Sequence, residues 1–283
     1  SEMRKTLRTT NLTNLDKKIH FKDIISTRTG NYKSSSKPIN IIGKKFNKNL
    51  KKNSIINDLD INYSIGIFCN VRTDSKRLKN KALLKIYQNK TCIEYLIQRL
   101  KFYLNKHQLQ YKLIICTTKR KVDDKISNII KKNKIECFRG ANEDVMKRMI
   151  DMSKKYKLDH VIRVTGDDLL VSSDHFKDAV NFHLKKNSDY TLIKGLPIGM
   201  SFEIIRINAV KTIHELIKNK AYTEYITYFL DSENVLNLET FHINKYKNFN
   251  IEQYSLTLDN FIDYENLYKI INKLHKKYKS EYL

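Results

Sequence analysis

The sequence predicts an α/β fold in which a mainly parallel sheet carries helices on both faces. From about residue 60 onward, apolar runs of strand length alternate with longer segments of helical periodicity. Strands separated by helices pair in parallel through right-handed crossovers, and the helices cover both faces of the sheet. Two predicted strands run directly into carboxylates, at Asp167 and Asp259. Because such sheets bind ligands at the carboxyl ends of their strands, we expect a site at that edge.

Six strands and seven helices are predicted in this part of the chain. The strands span 65–71, 112–117, 135–138, 161–165, 202–205 and 255–258. The helices span 91–104, 122–132, 143–156, 173–184, 208–218, 223–230 and 261–278. Before residue 60 the chain is short, polar and β-leaning, with a turn-forming Ser-Ser-Ser-Lys-Pro stretch at 34–38. We therefore expect a small β-rich domain at 1–62 and a larger α/β domain at 63–283.

The chain is strongly basic. It has 54 Lys and Arg against 30 Asp and Glu, which gives a formal net charge of +24. A positive field of this size can steer polyanions, including a nucleoside triphosphate, towards the protein. A lysine-rich surface that is only solvated explains the same charge. Charge alone leaves both interpretations open.

Cysteine usage and hydropathy bear on where the protein works. The four cysteines lie singly, mostly inside apolar runs, and predict small buried side chains in a reducing cytosol; they are Cys69, Cys92, Cys116 and Cys137. No apolar run approaches the roughly 20 residues that a membrane-spanning helix needs, and no early segment has the pattern of a signal peptide. We therefore expect a cytoplasmic protein without a membrane partner.

A cationic loop follows the first strand of the larger domain. It contains Arg72, Ser75, Arg77 and Lys81. Backbone amides and cations at this point of a nucleotide-binding sheet can hold a triphosphate, although most charged loops are simply solvated. The position of the loop, directly after the opening strand, favours phosphate binding.

Residues 63–283 resemble the cytidylyltransferases related to spore coat polysaccharide biosynthesis protein F and to CMP-Kdo and CMP-sialic acid synthetases. The family pattern A-R-x-x-S-x-R-L-P-x-K is present as Asn70-Val71-Arg72, Ser75, Arg77-Leu78 and Lys81. The patterns F-R-G and D-V-L-x-R are matched by Phe138-Arg139-Gly140, Asp144-Val145-Met146 and Arg148. R-V-T-G-D is unbroken at 163–167, P-x-G-x-D-x-E is matched by Pro197, Gly199 and Glu203, and L-T-L-D is intact at 256–259. Five blocks in this order are far more specific than any one of them.

The resemblance implies a GT-A-type, Rossmann-like nucleotidyltransferase that joins CTP to an acidic sugar and releases pyrophosphate. By the same resemblance, Asp167 and Asp259 would hold Mg²⁺, and Asp168 is a further candidate. Catalysis would rest on Arg72, Lys81 and Asp167. The nucleotide would be bound by Arg72, Ser75, Arg77, Lys81, Arg139 and Asp144, and the sugar by Glu203. Positioning and charge neutralisation dominate such phosphoryl chemistry.

Four places depart from the family pattern. Asp74 stands where the family has glycine, Lys79-Asn80 replaces Pro-Gly, Ser201 replaces an aspartate, and Tyr225 replaces a histidine. A carboxylate beside anionic phosphates raises the cost of binding them unless it faces away or joins the metal. The first two departures concern the phosphate loop and the last two the sugar. A catalytically inactive domain kept for assembly is therefore one alternative, and a basic nucleic-acid-binding protein is another, which ordered carboxylates do not favour.

Residues 4–62 resemble the SAF, or antifreeze-like, domain that closes sialic acid synthases. The matching stretches are 15–18, 27–30, 42–45 and 49–54. The resemblance implies that Arg28 contacts sugar in a neighbouring subunit, while an ordinary surface arginine is the alternative. Sialic acid synthases carry this domain after a barrel. We therefore expect the chain to be the carboxyl-terminal part of a synthase fusion or to associate with a synthase barrel, as a homo-oligomer, in surface polysaccharide biosynthesis.

Overall fold

A computed structural model of the chain describes residues 5–28, 35–217, 223, 228–229, 236–246 and 251–278. The strands found in these ranges are β1 (Lys5–Thr9), β2 (Ile24–Arg28), β3 (Ile65–Asn70), β4 (Lys85–Tyr87), β5 (Lys90–Thr91), β6 (Lys112–Thr118), β7 (Glu136–Gly140), β8 (His160–Thr165), β9 (Tyr190–Lys194), β10 (Glu203–Arg206) and β11 (Leu238–His242). The α-helices are α1 (Pro38–Ile41), α2 (Cys92–Lys106), α3 (Asp124–Lys132), α4 (Val145–Tyr156), α5 (Phe176–Lys185), α6 (Ile207–Leu216) and α7 (Phe261–Tyr278).

One seven-stranded sheet organises the larger part of the chain. Its strand order is β11-β9-β10-β8-β3-β6-β7. Strand β10 runs antiparallel to both of its neighbours, β8 and β9, and the remaining pairs are parallel. The carboxyl ends of β8, β3, β6 and β7 therefore meet along one edge of the sheet. The predicted mainly parallel α/β architecture is confirmed.

The central strands are apolar on both faces because helices cover both. In β3, Ile67 and Phe68 are fully buried on opposite sides of the sheet. Ile67 belongs to a core that includes Leu96 of α2 and Phe176 of α5, and Phe68 packs with Met149 of α4. A strand buried on both faces reads as a continuous apolar run, and this is why the strands at 65–71 and 112–117 were predictable.

One predicted strand is wrong. Residues 255–258 do not join the sheet, and Ser255 makes only an isolated parallel bridge with Ile198. Short apolar runs of this kind do not distinguish a strand from an extended segment that bonds to loops. The sequence also failed to predict β9, β11 and the β4–β5 hairpin. The predicted helix at 223–230, which includes Tyr225, and the stretch 29–30 lie largely outside the described residues.

The cysteines and helices agree with the hydropathy of the sequence. Cys69, Cys92 and Cys116 are buried, Cys137 is partly buried, and all four are free thiols. None of the helices that the structure describes combines the length and apolar character needed to cross a bilayer.

The amino-terminal segment forms a module with its own small core. Strands β1 and β2 pair antiparallel, and further backbone contacts are isolated bridges such as Thr13 with Leu50. The buried residues of this core are Leu7, Ile19, Ile41, Phe46, Leu50, Ile56 and Ile61. Ladder pairing is thus short in the described part of this amino-terminal module (residues 5–61), and loop-to-loop hydrogen bonds supply much of its cohesion. Its similarity to a SAF domain remains a prediction.

A buried ion pair docks the amino-terminal module on the sheet. The Arg206 guanidinium contacts the carboxylate of Asp58 and lies 3.1 Å from Asp189 Oδ1. The hydroxyl of Tyr63 donates to Asp58 Oδ1 at 3.0 Å. Burial acts to lower the pKa of Arg206, but the charge and hydrogen bond of Asp58, together with Tyr63 and Asp189, outweigh it and raise that pKa. Arg206 pairs in register with His160, the first residue of β8, so the module sits at the amino edge of the parallel strands.

Asp58→Ala should lower the free energy of unfolding by about 3 to 5 kcal/mol, because it leaves a buried guanidinium without its main partner. Urea denaturation followed by circular dichroism measures the change. Lys37→Ala is the matched control, since it breaks the pair between Asp189 and a half-exposed lysine, 3.0 Å apart, and should cost less than about 1 kcal/mol. Equal small losses in both variants would contradict the docking role of Asp58.

Candidate functional site

Asp167 and Asp259 meet at the carboxyl edge of the sheet, where both contact one ammonium group. Lys81 Nζ lies 2.6 Å from Asp167 Oδ2 and 3.3 Å from Asp259 Oδ1. It also donates to the carbonyl oxygen of Leu258 at 2.8 Å. The lysine side chain is 15% exposed and each carboxylate 25% exposed, so the group is accessible from solvent. The sequence predicted that these residues would converge, and they do.

The end of β8 places Asp167 directly beside the cationic loop. The backbone N–H of Gly166 donates to the carbonyl of Asn70 at 2.9 Å. A Cβ atom at Gly166 would lie 2.5 Å from a methyl group of Val71. Only glycine permits this approach of the two backbones. The glycine between Thr165 and Asp167 therefore brings the carboxylate within reach of Lys81.

Asp259 is positioned by backbone bonds to two other segments. The N–H groups of Leu256 and Leu258 donate to Ile198 O at 2.7 Å and to Asp167 O at 3.0 Å. Gly199 has a φ of +85°, and a Cβ there would lie 2.3 Å from the nitrogen of Thr257. A larger residue at position 199 would push this segment away. The extended stretch before Asp259 thus reaches the site without being a strand of the sheet.

The first turn of α7 fixes the backbone of Asp259. Asp263 Oδ2 accepts hydrogen bonds from the N–H groups of Asp259 and Asn260, each at 3.0 Å. Asn260 Oδ1 in turn accepts from Asp263 N–H at 3.1 Å. This reciprocal capping stabilises the start of the helix and orients the preceding aspartate.

Asn80 shapes the backbone of the cationic loop just before Lys81. Asn80 adopts the left-handed conformation, with a φ of 56°, which asparagine tolerates better than most residues. Its N–H donates to Thr73 O at 3.1 Å and closes the loop ahead of Lys81. Arg77 Nη2 lies 2.8 Å from Asp259 Oδ1, and Ser75 Oγ accepts from Leu78 N–H at 3.5 Å. The left-handed turn at Asn80 therefore leads directly into Lys81.

A buried aspartate anchors this loop to β6. Asp123 Oδ1 accepts from the N–H and the hydroxyl of Thr73 at 2.8 and 2.7 Å. Its other oxygen accepts from the hydroxyl of Thr118. Burial alone would raise the pKa of Asp123, but the hydrogen bonds from Thr118 and Thr73 outweigh it and lower that pKa. Sequence reasoning missed Asp123 because the preceding strand, β6, does not end in a carboxylate.

Asp74 is neutralised by two arginines. Its carboxylate lies 3.4 Å from Arg72 Nε and 2.5 Å from Arg120 Nη1. Arg120 was also missed, although it follows the carboxyl end of β6, the neighbour of β3. The rule that ligands bind at this edge could have found it. The carboxylate that replaces glycine in the loop is therefore held between cations.

Arg139, Asp144 and Arg148 make contacts that fix neighbouring backbone. Arg139 donates to the carbonyls of Thr118 and Arg120 at 2.9 and 2.8 Å. Asp144 caps α4 by accepting from Lys147 N–H at 2.9 Å. The buried Arg148 guanidinium donates to backbone carbonyls at 141 and 142 and to the side chain of Asn70. Nucleotide contacts by Arg139 and Asp144 remain predictions.

The candidate sugar residues lie in different parts of the molecule. Glu203 forms an ion pair with Arg163 at 2.5 Å, and the two residues are register partners on β10 and β8. Ser201 donates its hydroxyl to the carbonyl of Ile193 at 2.8 Å, on the neighbouring strand. Arg28 is exposed on β2, in the amino-terminal module that docks at the amino edge of the sheet. Within one chain, this docking therefore does not bring Arg28 and Glu203 to the same edge of the sheet.

Asp168 differs from Asp167 in its surroundings. Desolvation raises the pKa of Asp168 to about 7, the Asp167 charge adds to this effect, and hydrogen bonds from Thr165 and Thr257 oppose it. A carboxyl group of this kind carries only part of a negative charge at neutral pH. The main contribution of Asp168 is therefore its hydrogen bond with Thr257, which links residues 255–258 to the end of β8. It adds little charge to the site.

The Asp167–Asp259 pair fits a divalent cation. The ammonium of Lys81 already shows that both carboxylates can face one positive charge at a single point. Within the described ranges no group of three or more His, Cys, Asp or Glu side chains converges on a metal position. Mg²⁺ is commonly held by one or two carboxylates, with water and substrate phosphate oxygens completing its shell. Asp167 and Asp259 could therefore hold such an ion, for which Lys81 would be a competitor.

Most of the chain matches known proteins. A family model described as cytidylyltransferase matches residues 69–281. An uncharacterised protein of Methanocaldococcus jannaschii is 33% identical over 202 residues, which cover 71% of this chain and 80% of that protein. Spore coat polysaccharide biosynthesis protein SpsF of Bacillus subtilis is 27% identical over 203 residues, 71% of this chain and 84% of that protein.

Solved structures share the fold. A cytidylyltransferase from Leptospira borgpetersenii superposes with a TM-score of 0.66 at 24% identity, over 76% of this chain and 95% of the other. A CMP:2-keto-3-deoxy-manno-octonic acid synthetase, solved in complex with CTP, has a TM-score of 0.57 at 11% identity over 75% and 99% of the two chains. At these identities the likeness concerns the fold alone.

Lys81→Met should tighten the binding of Mn²⁺ in the absence of nucleotide roughly tenfold, because it removes a competing positive charge from the two carboxylates. Titration of free Mn²⁺ by electron paramagnetic resonance measures the dissociation constant. Lys79→Met removes the same charge from an exposed position in the loop and should change Mn²⁺ affinity little. An unchanged dissociation constant in Lys81→Met would contradict the shared position of lysine and metal.

Asp123 should contribute to stability at neutral pH and lose that contribution in acid. Its pKa in the folded protein lies below the ordinary value of 3.8, so the stabilisation is present above that value and disappears as the pH falls through the folded pKa. Asp123→Asn should therefore be less stable than wild type at pH 7, with the difference shrinking as the pH falls below about 4. Urea melts at pH 7, 5 and 3.5 test this. A difference that does not depend on pH would contradict it.

Proposed function

The chain belongs to the cytidylyltransferase family and is a nucleotidyltransferase, and from this premise we propose that it activates an acidic sugar of the nonulosonic or sialic acid type with CTP. The products are the CMP-sugar and pyrophosphate. The observation that carries the proposal is the convergence of Lys81, Asp167 and Asp259 at the carboxyl edge of the sheet. That edge is where an α/β sheet binds its ligands.

The reaction needs charge neutralisation more than covalent help from the protein. A sugar hydroxyl attacks the α-phosphorus of CTP, the bond from this phosphorus to the β-phosphate oxygen breaks, and the hydroxyl proton is lost. Asp167 and Asp259 would hold Mg²⁺, which supplies positive charge at the phosphate oxygens when it is bound. Lys81 and Arg77 contact Asp259, and together with Arg72 of the same loop they would stabilise the triphosphate and the departing pyrophosphate.

Ser75, Arg139 and Asp144 would complete the nucleotide site. The Ser75 hydroxyl is part of the same loop as Arg72 and Arg77, and the loop is held by Thr73 and Asp123. Such anchoring limits the reorganisation needed when a ligand arrives. Arg139 and Asp144 remain candidates for nucleotide contacts through the backbone that they position. The structural likeness to a synthetase solved with CTP supports CTP as the nucleotide.

The acceptor sugar would lie beside the ion pair of Glu203 and Arg163. Both side chains are half-buried on adjacent strands, close to the carboxyl end of β8. A carboxylate can accept hydrogen bonds from sugar hydroxyls, and a guanidinium can donate to a sugar carboxylate. Ser201, in place of the family aspartate, leaves one acidic group fewer near this pair. An anionic acceptor therefore meets less repulsion here than the family pattern would give.

The amino-terminal module bears on the wider assembly. If residues 1–62 form a SAF-like domain, Arg28 would reach sugar in a synthase barrel of another subunit, within a homo-oligomer or a fusion. The exposure of Arg28 on β2 supports this arrangement, as does the docking of the module away from the nucleotide edge. The similarity to SpsF supports a role in surface polysaccharide biosynthesis.

Asp167→Asn and Asp259→Asn should each lower turnover at least about a hundredfold while the fold stays intact, because each removes charge at the metal position with little change in volume. The assay is pyrophosphate release from CTP and Mg²⁺ with a panel of nonulosonic acids as acceptors. Asp178→Asn, an exposed change on α5, is the control and should behave as wild type.

The panel also decides the proposal itself. Pyrophosphate release that depends on an acidic sugar supports it, and release with neutral sugars alone would assign another acceptor class. CTP binding without turnover on any acceptor would indicate an inactive domain. Full activity in either aspartate variant would overturn the metal assignment.

A further inference from the structure

Arg120 lies beside the cationic loop, outside the residues that the motifs of the chain identify. It follows the carboxyl end of β6, the strand that pairs with β3. Its Nη1 contacts one oxygen of Asp74 at 2.5 Å, and the other oxygen of Asp74 lies 3.4 Å from Arg72 Nε. Two guanidinium groups from neighbouring loops are thus brought to a single carboxylate. That carboxylate stands where the family pattern has glycine.

The backbone of Arg120 is held from three sides. Its carbonyl accepts from Arg139 Nη2 at 2.8 Å and from Asp123 N–H at 3.0 Å. Its N–H donates to Thr118 Oγ1 at 3.2 Å. The guanidinium therefore projects from a fixed turn. The same buried Asp123 that anchors Thr73 of the cationic loop also anchors this turn. The backbones of Arg72 and Arg120 therefore keep fixed relative positions.

The side chain of Arg120 has hydrogen-bonding capacity left. A guanidinium has five N–H donors. Among the described residues, Arg120 Nη2 is buried and makes no hydrogen bond, and it lies 3.5 Å from Glu143 Oε1. Arg72, Asp74 and Arg120 are each about one third exposed, at 36%, 34% and 28%. Ion pairs with this exposure are weak, so a triphosphate with several negative charges can compete for both arginines.

We propose that Arg120 binds the phosphate chain of the nucleotide together with Arg72, and that Asp74 holds the two arginines side by side in the free protein. Arg72, Asp74 and Arg120 together carry one net positive charge, the same as Arg72 beside a glycine without Arg120. The acidic departure in the loop is thereby compensated by a cation from the next strand. This inference rests on the proposed function only in taking a nucleoside triphosphate as the ligand.

The test ranks CTP affinity by the charge left beside the phosphate chain. The Asp74→Asn variant leaves two net positive charges, the wild type and the double variant Asp74→Asn/Arg120→Gln leave one, and Arg120→Gln leaves none. The dissociation constants for CTP with Mg²⁺, measured by calorimetry, should rise in that order. Loss of a charged hydrogen bond predicts roughly tenfold weaker binding in Arg120→Gln than in wild type, with the double variant close to wild type.

Two further arms separate a phosphate contact from a general effect. Lys119→Gln removes the same charge from the adjacent exposed residue and should leave the CTP dissociation constant nearly unchanged. Inorganic tripolyphosphate, which has no base or ribose, should lose affinity for Arg120→Gln by a factor similar to that of CTP. Thermal denaturation of each variant monitors folding. A structural role of the ion pair would make the double variant the weakest binder, or weaken both single variants alike.

The outcomes distinguish this inference from the function on which it rests. If wild type binds CTP and Arg120→Gln binds it as well as Lys119→Gln does, the role of Arg120 is overturned and the proposed function stands. If wild type binds neither CTP nor tripolyphosphate, both are overturned. If Asp74→Asn binds CTP more weakly than wild type, the compensation of charge is wrong.

Discussion

The structure of the site depends on one ammonium group that two aspartates share. Lys81, Asp167 and Asp259 come from three separate segments, and the contacts of Lys81 Nζ join them. Without a cation at this point, two carboxylates at close range would repel each other. The lysine therefore stabilises in the free protein a geometry that also suits a divalent metal. When a site is already assembled, ordering its side chains costs less free energy as the ligand binds.

Other loops at the carboxyl edge of the sheet are also joined by a side chain that they share. Asp123 receives hydrogen bonds from both Thr73 and Thr118, so the loops after β3 and β6 cannot move independently. The Arg139 side chain then fixes the turn at Arg120 through its carbonyl. Polar side chains that satisfy the backbone of loops are costly to leave unpaired, and this cost gives the loops one defined arrangement. The cationic side chains of the site are thus held in fixed relative positions by residues that need not contact a ligand.

The sequence predicted the sheet from its apolar runs and the meeting of the two aspartates from the order of its motifs, although Asp259 does not follow a strand of the sheet. A strand buried on both faces is a continuous apolar run, and motif order places Asp167 and Asp259 at one edge. The segment 255–258 was misassigned because its hydrogen bonds go to Ile198 and Asp167, partners that are remote in sequence. The conformation of Asn80 and the pairing of Asp74 with Arg120 were equally out of reach. Each depends on which loops the fold brings together, and local pattern does not encode that.

The described part of the amino-terminal module docks at the opposite end of β8 from the candidate site. It docks by Asp58 on Arg206, whose register partner is His160 at the start of β8, while Asp167 follows the far end of the same strand. A six-residue strand separates these two ends, a span of roughly 20 Å at the usual rise per residue. The buried ion pair fixes the module on β10, and β10 pairs with β8 and carries Glu203, the partner of Arg163. Loosening the module would therefore act on the Glu203–Arg163 pair, where the two strands meet, before it reached the cationic loop that Asp123 anchors independently.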